Sequence, residues 1–384
     1  MLRILILFIR CKRIELILLG MSLVFGVLIS VILTETYFHQ KYWHSIGTQF
    51  DSELGWKNKI NEISWRAGKI KQTTNSKGFR SPKVNPNEDH ILMVGDSIIW
   101  GSGVGDHETA AFYLDQMMQS HQVLNMGVQG YGLGQYYLNL KRHISTLKPK
   151  LVIVTIYSGN DVSNTARGEA YGKSKPVFVI KKKKLKLLNK NISKFSCSNL
   201  FARYWTLRNL FGNLKETICK TVGYKNYFDT LPVIVLLLKK IEQLAFKYDS
   251  KVLFIVSPSR DDLTHKMFLG QRKSKFQVEY YTNRYPNVLK YFKKHPSSYK
   301  GFDVVKVITA MGKSQLKNSN HRFFQKLFES QNYFYLDILK EIARDKVLPE
   351  TAYSFYTDPD HYSPLGNRRF AELIYKKIKA SKLL

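Results

Sequence analysis

The sequence predicts an α/β fold: a doubly wound parallel sheet of about five strands flanked by helices, preceded by one N-terminal transmembrane helix. Three observations predict it. Short apolar runs alternate with stretches of helical period. Residue types suited to nucleophilic and acid–base chemistry fall where those runs end, which is where open α/β sheets bind ligands. A long uncharged segment comes before all of them. The chain has 384 residues, 44% of them hydrophobic, enough for one large domain with insertions.

Ile91-Leu92-Met93-Val94, closed by Gly95, predicts a buried strand. Residues 109–120 read as a helix with Ala110, Ala111, Leu114, Met117 and Met118 on one face. Val123-Leu124 predicts a brief second strand, and 132–147 another helix, closed by Pro149. Residues 151–156, rich in β-branched side chains, predict the strongest strand. A helix over 233–248, a strand over 251–256 and a weaker strand over 333–336 follow. Ser363-Pro364 offers an N-cap and a first-turn proline for a last helix to about residue 379, with Phe370, Ala371, Ile374 and Ile378 as its apolar stripe. Such alternation implies a parallel sheet covered on both faces.

Arg3, Arg10, Lys12 and Arg13 precede an uncharged run over 16–33. At about 1.5 Å per residue it nearly spans a hydrocarbon core of about 30 Å. The basic flank places the N-terminus in the cytoplasm. No small-x-small cleavage site follows, so a retained signal anchor is expected, meeting the membrane through residues 16–34. The rest of the chain is then expected to be extracytoplasmic, periplasmic or at the cell surface. Residues 1–35 are read as cytoplasmic tail and anchor, 36–89 as stalk and entry segment, and 90–384 as the domain. Insertions are expected at about 162–232, with its Lys181–Lys184 run, and at 260–330, with Tyr280, Tyr281, Tyr285, Tyr291 and Phe292. Both are read as a lid or substrate platform, with peripheral packing as the alternative.

The 60 Lys and Arg against 29 Asp and Glu give a formal charge of +31. Such a field favours anionic partners, such as phospholipid headgroups or acidic glycans; a lysine-rich surface that serves solubility is the alternative. Nucleic acid is disfavoured: no recognised module is present and the domain is expected outside the cytoplasm. Of three cysteines, Cys11 lies beside the apolar run, while Cys197 and Cys219 either pair outside the cytoplasm or remain free thiols. Neither a Walker loop nor His-Glu-x-x-His occurs, and no cofactor or metal is called for.

Four short motifs carry the chemistry. Gly95-Asp96-Ser97 follows the first strand, where a tight turn can present the serine hydroxyl. Asn125-Met126-Gly127-Val128-Gln129-Gly130 follows the second, and its glycines let backbone N–H groups approach a ligand. Ser158-Gly159-Asn160-Asp161 ends the strongest strand, and Asn160 can donate a side-chain hydrogen bond to an oxyanion. Asp358-Pro359-Asp360-His361 precedes the last helix. Three residues apart, Asp358 can hold one ring nitrogen of His361, leaving the other free for a serine proton. Asp360 is the poorer orienter, because adjacent side chains seldom face each other. Each motif alone reads as an ordinary turn; together they supply nucleophile, base, orienter and oxyanion donors.

In this order, Gly-Asp-Ser, Asn-x-Gly-x-x-Gly, Gly-Asn-Asp and Asp-x-x-His resemble the four blocks of the SGNH (GDSL-like) hydrolases. The resemblance covers roughly residues 75–165 and 350–380. The lead-in Asn75-Ser76-Lys77-Gly78-Phe79-Arg80 and Gly130-Tyr131-Gly132 resemble its exported bacterial members. Ile98 stands where the family name expects leucine. The resemblance implies a flavodoxin-like three-layer fold, Ser97 as nucleophile, His361 as base and Asp358 as its orienter. It implies an oxyanion hole of the Ser97 and Gly130 N–H groups and the Asn160 amide, each donor worth about 2.7–4 kcal/mol. The activity expected is a serine esterase removing acetyl or other short acyl groups from a cell-envelope polysaccharide, through an acyl-serine intermediate. The alternatives are an O-acetyltransferase using the same residues, which would call for a membrane acyltransferase partner, and a non-catalytic glycan-binding or scaffold protein.

Overall fold

The computed structural model describes residues 2–42, 47–66, 69–171, 173–182, 184–194, 223–224, 227–259, 319–344, 354–358 and 360–384. The possible pairing of Cys197 with Cys219, and the aromatic cluster from Tyr280 to Phe292, lie outside these residues. The chain forms two compact units, residues 1–46 with 195–220, and residues 47–194 with 221–384.

In the first unit, helix α1 (Leu2–Tyr42) contains a 23-residue stretch, Lys12–Thr34, long and apolar enough to cross a membrane. Among the described residues its side chains are exposed throughout that stretch.

The second unit opens with two antiparallel hairpins, β1 (Thr48–Asp51) with β2 (Gly55–Asn58), and β3 (Ile63–Arg66) with β4 (Ile70–Thr73). There follow β5 (Asp89–Val94), a single turn α2 (Ser97–Trp100), α3 (Ala110–Met117), β6 (His121–Asn125), α4 (Leu133–Leu147) and β7 (Leu151–Tyr157). Next come α5 (Asp161–Ala166) and the hairpins β8 (Glu169–Ala170) with β9 (Lys173–Ser174), and β10 (Val177–Lys181) with β11 (Lys184–Leu188). The described remainder is α6 (Leu231–Lys247), β12 (Lys251–Ser257), α7 (Ser319–Gln331), β13 (Tyr335–Asp337), α8 (Ile338–Arg344) and α9 (Pro364–Ser381).

Five parallel strands form the central sheet in the order β13-β12-β7-β5-β6. Strand direction and order are those of a doubly wound flavodoxin-like sheet, whose order reverses on either side of β5. Alternate residues face opposite layers, as the pleat requires. Leu92, Val94, Val152, Val154 and Phe254 join one core with α4, α6 and α7; Ile91, Met93, Ile153, Leu253 and Ile255 join the other with α3, α8 and α9. Both faces are covered, which is why β5, β7 and β12 read as continuous apolar runs. Ser363 caps α9, its hydroxyl accepting from the Gly366 N–H at 3.1 Å, with Pro364 in the first turn.

Two stretches can be placed more finely. Residues 47–73, within the expected stalk and entry segment, are held to the domain. Arg142 on α4 grips Asp51 at 2.7 and 2.9 Å and Glu53 at 2.7 Å; Gln135 donates to the Leu54 carbonyl at 2.8 Å; Leu54 and Trp56 are buried in the core. Within 260–330, α7 is a crossover helix of the sheet itself. Its Phe323, Phe324, Leu327 and Phe328 are buried, and Phe328 stacks on Phe254 of β12 at 5.1 Å. A parallel β12-to-β13 connection needs such a crossover. In the 162–232 stretch, Val177 and Phe178 are buried, and Phe178 meets Tyr137 of α4 edge-on at 6.0 Å.

Candidate active site

The site is assembled from loops at the carboxyl ends of β5, β6 and β7, and from the loop before α9. Asp96 caps α2: its carboxylate accepts the Ile98 N–H at 2.9 Å, which turns the chain sharply after β5. Ser97 is therefore the first residue of a helical turn, and its N–H has no acceptor within that turn. The Ser97 hydroxyl lies 3.4 Å from Asp96 Oδ2.

That turn is braced from two further segments. Asn125, fully buried at the end of β6, donates its amide to the Ile99 carbonyl at 2.6 Å and accepts the Gly127 N–H at 2.9 Å. Gly127 lies so close to α2 that a Cβ there would meet Ile99 C at 2.7 Å and Trp100 Cα at 2.9 Å. The Val128 N–H donates to the Gly95 carbonyl at 3.2 Å. The loop carrying Gly130 is thus fastened to the serine turn by backbone contact. Arg80 works from beneath, donating to the carbonyls of Trp100 (2.8 Å), Gly101 (2.7 Å) and Val104 (2.7 Å) and to Asp106 Oδ1 (2.9 Å), with its guanidinium over the Trp100 ring at 5.1 Å.

The four motifs meet at one end of the sheet. His361 Nε2 lies 3.0 Å from Ser97 Oγ, and His361 Nδ1 lies 2.9 and 3.0 Å from the two oxygens of Asp358. Asp358 also accepts the N–H groups of Asp360 (2.9 Å) and His361 (3.0 Å), so one carboxylate shapes the loop and orients the ring. Asp360 faces away from that ring and accepts the Tyr157 hydroxyl at 2.9 Å. The Asn160 side chain reaches the Asp96 carboxylate, and its Oδ1 is buried with no partner among the described residues. Gly130 adopts φ +73°, open to glycine and strained for other residues. The ring of Tyr171 lies against it.

The loop bearing His361 is rooted on β12. The Tyr362 hydroxyl lies 2.9 Å from Ser257 Oγ, and the Tyr356 hydroxyl donates to the Pro258 carbonyl at 3.0 Å. Asn320 of α7 donates to the Ser158 carbonyl at 3.1 Å, steadying the loop that carries Asn160. Asp161, fully buried, accepts the Tyr157 N–H and the Tyr136 hydroxyl, both at 2.8 Å. The sequence marked Asn125, Arg80 and Asp161 only as members of motifs. The bracing done by Asn320, Tyr171, Tyr356 and Tyr362 has no local sequence signal.

Burial pushes the Asp96 carboxyl up, opposed by the Ile98 N–H, the His361 ring and the Asn160 amide. Burial, with the Asp96 charge beside it, holds the Asp161 carboxyl well above the usual carboxylate range. Asp358 goes the other way: burial alone would raise it, but the hydrogen bonds from His361 and the Asp360 N–H bring it below its ordinary value. An ionised Asp358 accepts from Nδ1–H, which leaves Nε2 as the acceptor for the Ser97 hydroxyl proton. The arrangement can therefore generate a serine nucleophile beside candidate oxyanion donors.

No protein-family model and no curated protein matches the chain. Among solved structures it resembles the acetyl xylan esterase AlAXEase (12% identity, 75% of this chain and 99% of that one, TM-score 0.39). It resembles the lipase/acylhydrolase from Enterococcus faecalis (14%, 76% and 96%, TM-score 0.35). A third is a member of the lipolytic G-D-S-L family from Veillonella parvula (10%, 75% and 96%, TM-score 0.36). Likeness of this degree carries no weight for activity; the geometry around Ser97 does.

Proposed function

We propose that the protein is a serine ester hydrolase of the SGNH type. The observation that carries this reading is the relay from Asp358 through His361 to Ser97, with Nε2 at 3.0 Å from Oγ where the first strand of a doubly wound sheet ends. Ser97 Oγ attacks an ester carbonyl while His361 takes its proton. Asp358 steadies the imidazolium, and the N–H groups of Ser97 and Gly130 with the Asn160 amide hold the oxyanion. His361 then returns the proton to the leaving alcohol, and water cleaves the acyl-serine.

The substrate we propose is an acetyl or other short acyl ester on an anionic cell-envelope polysaccharide. The formal charge of +31 supports an anionic carrier, and α1 supports an enzyme tethered at a membrane, with the N-terminus in the cytoplasm and the domain outside. The test is acetate release from an O-acetylated acidic glycan by the detergent-solubilised full chain. Ser97→Ala is expected to lower the rate by at least about 10⁴-fold. Equal acetate release by the variant would overturn the reading. Acetate passing to an added glycan acceptor in preference to water would turn it to acetyl transfer.

A further inference from the structure

Two residues, 171 and 172, join β8 to β9, whose register pairs Ala170 with Lys173. Where the first turn position needs positive φ, such connections favour Asn, Asp or Gly. Here that position is Tyr171, at φ +52°. A bulky aromatic is strained in this conformation, so the turn itself gains nothing from tyrosine. The ring has its contacts elsewhere. A Cβ on Gly130 would run into Tyr171 Cε2, with Cδ2 at 3.0 Å and Cζ at 3.1 Å. The ring also meets Trp56 edge-on, at 6.4 Å and 77°. Trp56 is buried and donates its Nε1–H to the Gln129 carbonyl at 2.9 Å, which ties the same aromatic pair to the loop bearing Gly130. Tyr171 nevertheless remains 52% exposed, so its outer side faces space that a ligand can enter. Partial burial pushes its phenol up, and so do the Asp96 and Asp360 charges, which sets the hydroxyl end in the field of acids adjacent to Ser97 and His361.

We propose that Tyr171 sets the acyl-chain length of the substrate: its ring is a wall beside the oxyanion loop that admits acetyl and turns away longer chains. The proposal rests on the serine ester hydrolase reading. As the Oγ–carbon bond forms and the serine proton passes to His361, the carbonyl carbon becomes tetrahedral. Its leaving oxygen must lie at His361 Nε2, because the carbon–oxygen bond breaks as that proton is returned. Its oxyanion takes the donors. The acyl group takes the one direction left, away from His361, and the proposal sets it beside the Gly130 loop, against which Tyr171 lies.

The experiment compares kcat/KM for p-nitrophenyl acetate and octanoate with the full chain in detergent. The wild type is expected to favour acetate by at least about 100-fold, since a single methylene at a fitted wall is worth about 10–200-fold. Tyr171→Ala, and Tyr171→Asn, which relaxes the turn, are expected to cut that ratio at least about tenfold by raising the octanoate rate; Tyr171→Phe is expected to keep it. No preference for acetate in the wild type, or an unchanged ratio in the Ala and Asn variants, overturns the proposal. Methyl- and octyl-phosphonofluoridates read the same wall without turnover. Equal labelling of Ser97 by both in the wild type sinks the Tyr171 proposal alone, whereas labelling by neither sinks the serine reading with it.

Discussion

The two sides of the candidate site are built differently. The serine side is buried and braced from afar: Ser97 is 7% exposed, and Arg80, Asn125 and Gly127, from different stretches of chain, fix the turn it stands on. On the His361 side the loop is rooted on β12, but the ring itself is oriented over a short range and stands more open. His361 and Asp358 have side chains 22% and 37% exposed, and Asp358 forms its loop by accepting N–H groups two and three residues ahead. The position of Ser97 is thus a property of the folded core, while the orientation of the His361 ring is a property of one carboxylate. Damage to the first should lower stability and turnover together; damage to the second should lower turnover alone.

Asp358→Asn is the sharpest way to separate the two. The amide cannot hold His361 in the tautomer that accepts at Nε2, and a fall of about 10⁴-fold in kcat is expected. The thermal midpoint should stay within a degree or two, because Asp358 is partly solvated. Ester kinetics and a melting curve on the same sample check both halves. Next in size, Arg80→Ala strands three carbonyls and Asp106, and should cost about 3–5 kcal/mol in urea unfolding, with activity falling alongside. Arg80→Lys should not restore it, because one ammonium cannot reproduce the planar fork. Full activity and stability in Arg80→Ala would break the comparison.

A smaller effect comes from a buried cation without such a fork. Lys175 is 1% exposed, its Nζ has no hydrogen-bond partner among the described residues, and it lies over the Trp56 ring at 5.8 Å. Burial brings its pKa down from 10.5 to about 7. The sign follows from proton binding. Between about pH 7 and 10.5 the unfolded chain holds a proton that the folded chain has lost, so stability should rise with pH in that window. Below about pH 7 both states are protonated, and the full cost of a buried charge remains. Lys175→Met should remove the slope and stabilise the domain at pH 7 by about 2–4 kcal/mol, read from urea midpoints at pH 6, 8 and 10.

Much of this was legible in the sequence, for a physical reason. Strands β5, β7 and β12 are buried on both faces, so they appear as apolar runs with β-branched residues, and three of the chemistry-bearing motifs stand at the ends of β5, β6 and β7. Ser363-Pro364 announced α9 because caps are local. The hairpins over 48–73 were not legible: their strands are four residues long, mostly polar, and fixed by partners such as Arg142 and Gln135 some 80 to 90 residues away. Helix α7 did carry a signal, Phe323, Phe324, Leu327 and Phe328 at helical spacing, which the aromatic surroundings obscured. Tyr171 could not be read at all, since only the folded chain brings a hairpin tip onto Gly130.

The most direct measurement is labelling of the chain by a fluorophosphonate, located by peptide mass, in the wild type and in His361→Ala. A phosphonyl adduct on Ser97 in the wild type, formed at least about 100-fold more slowly in His361→Ala, is the predicted result. No adduct on Ser97, or equal rates in the two proteins, would contradict the claim that His361 activates this serine.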